Sequence, residues 1–205
     1  AAGDASGASS HKFSSGSFTE GRISGKSAIA FIVDNPDIPE ISDERIAALK
    51  EMIFRPMDTF EEHSGYANDP DVNPHFIKPK MFMFRLQKIM DEYAGGASVG
   101  FKTSQALLEK GLEFLEYMKE DSEKLAASDL NELMRCWENV HRMWQAESHM
   151  RTMLFREETR WPGYYFRTDH PKMKEDWEAF ANCKWNPESG EWEMIKREMT
   201  RPVTG

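Results

Sequence analysis

Between Gly111 and Pro162 the chain runs fifty residues without a glycine or a proline. The two residues that most often end or kink a helix are missing there, so long helices are the natural outcome. Leu108, Leu112, Leu115 and Met118 repeat at helical spacing on one side of this stretch, and Leu133, Trp137, Val140 and Trp144 repeat further on. Asp129, with Glu132 three residues later, has the spacing of a helix start. A helix from Asp129 to about Arg156 is therefore expected, roughly 40 Å long at ~1.5 Å per residue. It must cross the molecule or project from it, and antiparallel neighbours would cover it. One such neighbour is announced by Phe82, Leu86, Ile89, Met90 and Tyr93, a stripe that stops at Gly95-Gly96.

Upstream, Ser17 and Glu20 have capping-box spacing, which predicts a helix beginning at Phe18. Ile23, Ala28, Ile29, Ala30, Ile32 and Val33 make it apolar enough to expect packing on several sides, and Asn35-Pro36 should end it. Asp43 to Phe54 is again periodic, with Pro56 breaking or restarting the pattern before a short helix through Glu62. Residues 64–80 read as an extended connection. Near the end, KWNPESGEWEMIK places two tryptophan-bearing strands around a turn, predicting a β-hairpin over 184–196.

Charge and cysteine content narrow the function classes. Thirty-five acidic against 26 basic residues give a formal charge of -9, which disfavours nucleic acid as a partner. Cys136 and Cys183 lie far apart without metal-ligand spacing, as expected of a reduced, cytoplasmic protein. No run approaches the ~20 apolar residues of a membrane span, so no membrane insertion is expected. No metal site is expected either. Glu138 and His141 supply only one of the two Glu-x-x-His units a di-iron bundle needs. Asp69, Asp71 and Asn73 open like a calcium loop, but Pro74 stands where glycine is required. The Met and Trp residues at helical spacing, such as Met134, Trp137, Met143 and Trp144, read as core or subunit interface. The chain opens on AAGDASGASS with no initiator methionine, so it is expected to continue from an upstream segment.

The segment GDASGASSHKFSSGSFTEGR is a Gly/Ser-rich loop feeding a helix. Unpaired N–H groups at the positive end of a helix suit a phosphate or a polarised carbonyl. A loop that needs small residues only for tight packing would look the same. A second segment, REETRWPGYYFRTDHP, alternates cations and carboxylates through Arg156, Glu158, Thr159, Arg160, Gly163, Arg167, Asp169 and Pro171. Such a pattern at a helix end most often makes a self-satisfied ion-pair network, with direct contact to cofactor or substrate as the other reading.

Both segments resemble the flavoprotein superfamily of succinate dehydrogenase and fumarate reductase, in its adenylylsulfate reductase α-subunit version. The second is similar to the Arg-x-Glu-Ser-Arg-Gly…Arg-x-Asp-x-Pro signature, with Thr159 in place of serine and Trp161-Pro162 inserted before the glycine. WPGYYFR and GEW point to the adenylylsulfate branch. The resemblance implies FAD as cofactor, with Asp4 meeting the ribityl chain and Ser15, Gly16, Ser17 and Phe18 forming the helix N-terminus at the isoalloxazine carbonyl edge. It places His11 and Lys12 as the catalytic candidates at the phosphate–sulfate end of adenylylsulfate, where fumarate reductases carry a substrate arginine. No GxGxxG is present, so upstream residues would grip the AMP half of FAD.

The reaction so implied is reduction of adenylylsulfate to sulfite and AMP, or its reverse. Electrons would come from an iron–sulfur β subunit, which alone would carry [4Fe-4S] clusters. A fumarate reductase or succinate dehydrogenase relative, and a non-catalytic helical scaffold for a partner subunit, are the alternatives. The expected fold is mainly α. Residues 1–35 would be the C-terminal end of an FAD-binding domain, 36–80 a connecting region with short helices, and 81–205 an antiparallel helical bundle with a short β-hairpin.

Overall fold

The computed structural model describes residues 2, 14–66, 72–160 and 163–199. Two compact units divide the chain, residues 1–48 and 49–205.

In the first unit, α1 spans Ser14–Asp34. The helix begins one turn earlier than the sequence predicts, so Ser17 lies inside it and does not cap it. Serine and glutamate three residues apart are neighbours within a helix as readily as across its start. Thr19 confirms the helical register, its Oγ1 donating to Ser15 O at 2.9 Å. At the other end Asn35 closes the helix, donating from both its backbone N and its Nδ2 to Phe31 O, each at 2.9 Å. The expected packing on several sides is not found: no residue of α1 is buried, and Ile29, Phe31, Ile32 and Val33 are exposed. Among the described residues the first unit holds this helix, a linker and the opening of the next helix, too little chain to cover it.

α2, Asp43–His63, runs straight through Pro56 where a break was expected. A proline inside a helix removes one N–H and pushes carbonyls of the preceding turn outward. Here a carbonyl of that turn finds a donor elsewhere, Trp137 Nε1 donating to Ile53 O at 2.9 Å, and Ala127 N adds a bond to Pro56 O at 2.8 Å. The helix survives its proline because tertiary partners satisfy its backbone.

The core of the second unit is built by α3 (Pro79–Tyr93), α4 (Gln105–Ser122) and α5 (Leu130–Phe155). Phe82, Leu86, Leu108, Leu115, Met118, Leu133, Met143 and Met150 form one buried cluster, much as the apolar stripes foretell. Residue pairings fix the directions. Arg85 meets Asp121 while Tyr93 stacks on Phe114, so α3 and α4 are antiparallel. Lys119 meets Glu147, whereas Gly111 abuts Met150, so α4 and α5 are antiparallel too. Asp129 caps α5, accepting from Glu132 N at 2.8 Å, while Glu132 turns back to Ser128 N at 2.8 Å.

Two short strands, β1 (Lys102–Thr103) and β2 (Phe166–Arg167), pair in parallel. β3 (Ala179–Asn186) and β4 (Glu191–Glu198) form an antiparallel hairpin in which Trp185 faces Trp192. It is longer than the 184–196 predicted because its outer residues, such as Phe180 and Arg197, carry no alternating apolar pattern. Asn186 and Gly190 close its turn. Asn186 Oδ1 accepts from Glu188 N at 2.9 Å, and Gly190 adopts φ +69°, a left-handed conformation that glycine takes without a Cβ clash. Among the described residues, no helix is long and apolar enough to cross a membrane.

Candidate functional site

Two places carry the residues singled out in the sequence. At the start of α1, Ser15, Gly16, Ser17 and Phe18 occupy the first two turns. The first four N–H groups of any α-helix lack intrahelical acceptors, and the dipole of a 21-residue helix adds partial positive charge there. Small side chains at Ser15, Gly16 and Ser17 leave that backbone approachable, and Phe18 is 81% exposed. Asp4, His11 and Lys12 lie outside the described residues.

The second place is the segment after α5. Glu158 is wholly buried at its centre. Its Oε1 accepts from Arg156 Nε at 2.9 Å and Arg160 Nε at 2.7 Å; its Oε2 accepts from Arg160 Nη2 at 3.1 Å and Lys174 N at 2.9 Å. Burial pushes this carboxyl upward, but the hydrogen bonds from Arg160, Lys174 N and Arg156 outweigh it and hold the group below its ordinary range. Arg156 also donates to Ala179 O at 3.0 Å and Trp177 O at 2.6 Å, and it lies over the Trp177 ring. One carboxylate and its two arginines thus fasten the start of the hairpin to the end of α5.

Arg167 and Asp169 form the second half of the motif. Arg167 is fully buried and donates Nε and Nη2 to the two Asp169 oxygens at 2.8 and 2.7 Å; its Nη1 donates to Met153 O. Asp169 Oδ2 also accepts from Gln105 N at 2.8 Å, in the first turn of α4, where the helix dipole favours negative charge. Hydrogen bonds from Arg167, helped by that from Gln105 N, hold Asp169 well below the usual carboxylate range. Thr159, at the position of the signature serine, donates to His170 O at 2.8 Å and accepts from Arg167 N at 2.9 Å.

The arginines of this motif therefore spend their hydrogen bonds on its carboxylates and on backbone carbonyls, and the carboxylates accept from the arginines and from backbone N–H groups, the arrangement of a structural brace. Trp161 and Pro162 lie outside the described residues. Sequence reasoning missed Glu147, wholly buried on α5, whose Oε1 accepts from Arg151 Nε at 2.9 Å. Its i,i+4 spacing to Arg151 was the available signal. Burial pushes the Cys136 thiol up to about 12, so it stays protonated and is a poor nucleophile or ligand.

Comparison with known proteins decides what these features belong to. The chain is 46% identical over 195 residues to the adenylylsulfate reductase α subunit of Megalodesulfovibrio gigas. That match takes in 95% of this chain and 29% of the relative. Nearly the whole chain is thus similar to one part of an adenylylsulfate reductase α subunit. Solved structures of adenylylsulfate reductase, one from Archaeoglobus fulgidus and one with a covalent sulfite adduct, superpose with a TM-score of 0.89 at 50% identity. They cover 93% of this chain and 30% of their own. The quinol fumarate reductase of Escherichia coli shares the fold over the full chain, with a TM-score of 0.71 at 15% identity. No family model matches. The chain spans just under a third of the length of the adenylylsulfate reductase subunits it matches.

Proposed function

We propose that this chain is part of an FAD-dependent catalytic subunit that interconverts adenylylsulfate with sulfite and AMP. The observation that carries the reading is its 50% identity and 0.89 TM-score to adenylylsulfate reductase, one structure of which holds a sulfite adduct. The far lower identity to quinol fumarate reductase, at the same fold, favours sulfur over dicarboxylate chemistry.

FAD fits the α1 terminus on chemical grounds: an approachable helix start with small residues can receive an electron-rich carbonyl edge. Ser15, Gly16, Ser17 and Phe18 would face that edge, and Asp4 would meet the ribityl chain. When bound, FAD supplies the two-electron chemistry that the side chains of this protein lack. Lys12, as a cation, or His11, as donor or proton carrier, would serve the phosphate–sulfate end of the substrate. Two cysteines, one of them a buried thiol, are too few for a four-cysteine cluster. The clusters, as [4Fe-4S], would reside on an iron–sulfur β subunit in a cytoplasmic complex. Residues 1–35 would complete the FAD domain, 36–80 connect it, and 81–205 form the braced helical domain.

The test is ferricyanide reduction by the full-length subunit purified with its iron–sulfur partner. Turnover that requires both AMP and sulfite supports the reading; succinate or fumarate turnover in its place overturns it. Full activity of the His11→Ala, Lys12→Ala double variant would remove both residues from the reaction.

A further inference from the structure

A groove lies where α4, α5 and the hairpin meet. Its wider part, about 590 Å³, is lined by Lys119, Trp144, Glu147, Trp185 and Trp192. A narrower part of about 330 Å³ continues past Leu154, Phe155 and Met194. Arg151 and Trp192 line both, so the two make one elongated depression, and each is of the size that small-molecule and side-chain pockets have.

Two buried polar atoms at the groove are left without a hydrogen bond. Trp192 Nε1 is shut off from solvent with no acceptor. Glu147 Oε2 has Lys119 Nζ 2.8 Å away but off the hydrogen-bonding direction, so it gains charge compensation without a hydrogen bond.

The charges around the groove select the ligand's sign. Lys119 is engaged by Glu116 and Glu147, and Arg151 by Glu147. Among the described residues no cation pairs with Glu109, which lines the narrower part, or Glu191, which lines the wider one. The unspent charge is therefore negative. In the wider part Trp144, Trp185 and Trp192 succeed one another edge to face, with ring centroids 5.6 and 5.5 Å apart. Aromatic faces bordered by carboxylates suit the aliphatic stem and charged head of lysine or arginine. β4 belongs to a two-stranded sheet and contributes Trp192 and Met194 to the groove, and its side away from β3 offers main-chain groups to another strand.

We propose that this groove binds an extended peptide segment carrying lysine or arginine at alternate positions. The aliphatic stems of that segment lie against the Trp144, Trp185 and Trp192 rings, and its cations reach Glu191 and Glu109. The inference does not depend on the flavin chemistry, because every residue it uses lies within residues 105–194.

The test is calorimetric titration of the full chain with a capped hexapeptide of alternating lysine and valine. An alternating glutamate–valine peptide and lysine amide are the comparisons. The lysine–valine peptide is expected to bind, the acidic peptide not to, and lysine amide at least about tenfold more weakly. Trp192→Ala removes one ring of the aromatic run, and should weaken binding by about three- to tenfold. Glu109→Lys with Glu191→Lys, both at exposed positions, should abolish it. Equal binding of both peptides, binding of lysine amide as tight as the peptide, indifference to these substitutions, or no binding of the lysine–valine peptide would each overturn the proposal.

Discussion

Arg167 reaches both oxygens of Asp169, at 2.8 and 2.7 Å, from a side chain that is almost wholly withdrawn from solvent. Through this pair the loop after α5 is tied to the first turn of α4, because Asp169 also accepts from Gln105 N. Removing the carboxylate charge leaves a buried guanidinium uncompensated. Asp169→Asn is expected to cost about 3 kcal/mol of stability, read from urea unfolding at neutral pH. A change below about 0.5 kcal/mol would mean that the pair does not brace the fold.

The same pair sets an acid limit. Asp169 is depressed in the folded chain by hydrogen bonds from Arg167, and Glu158 lies below its ordinary range because its hydrogen bonds outweigh burial. Groups with a depressed folded pKa contribute stability that is fully present above the unfolded value, about 4 for carboxylates. That stability is lost as pH falls further toward the folded value. Urea midpoints should hold steady from pH 7 to about 5 and fall steeply below about 4. In Asp169→Asn the acid fall should be shallower, since one of the responsible protons is no longer taken up.

Gly111 marks where α4 crosses its neighbours. A Cβ there would lie 2.8 Å from Tyr93 Cβ and 2.9 Å from Met150 Cε. Alanine gains about 1 kcal/mol in helix propensity over glycine, but overpacking costs about 1–3 kcal/mol. Tyr93 Cβ is held close to its backbone and cannot yield as the Met150 methyl can, so Gly111→Ala should be net destabilising by about 1 kcal/mol. Thermal melts of this variant and of Gly21→Ala, where an added Cβ meets nothing, separate packing from propensity.

Cys136 is buried, and its thiol is raised to about 12 by burial first and by the nearby Glu132 charge second, whereas Cys183 is half-buried on the hairpin. A disulfide reagent at pH 8 should therefore modify one thiol in the native chain and two in urea. Rapid modification of both in the native state would show that the α5 core opens readily.

The helical bundle could be read from the sequence because its apolar residues recur at a spacing set by the helix itself. Phe82, Leu86, Leu108, Leu115 and Leu133 are in the core where their stripes place them. The hairpin turn was equally legible, since Asn186 and Gly190 perform local backbone tasks that depend on little else. Pro56 misled for the opposite reason. Its local cost is real, but Trp137, distant in sequence, supplies a donor to the Ile53 carbonyl in the turn that the proline disturbs. The apolar half of α1 promised burial that its own unit does not provide.

The candidate site divides along the same line. The alternation of charge from Arg156 to Asp169, and the small residues around Gly16, are visible in the sequence because each is a local pattern. Which arginine meets which carboxylate is not. Arg167 bypasses Glu158 for Asp169, Glu158 collects Arg156, Arg160 and the Lys174 backbone, and Glu147 disappears into the core beside Arg151. Helical periodicity and turn chemistry are set by residues a few positions apart, so the sequence alone determines them. The pairing of buried charges, the toleration of a proline and the groove beside Trp192 depend on which distant groups arrive, and only the tertiary structure decides that.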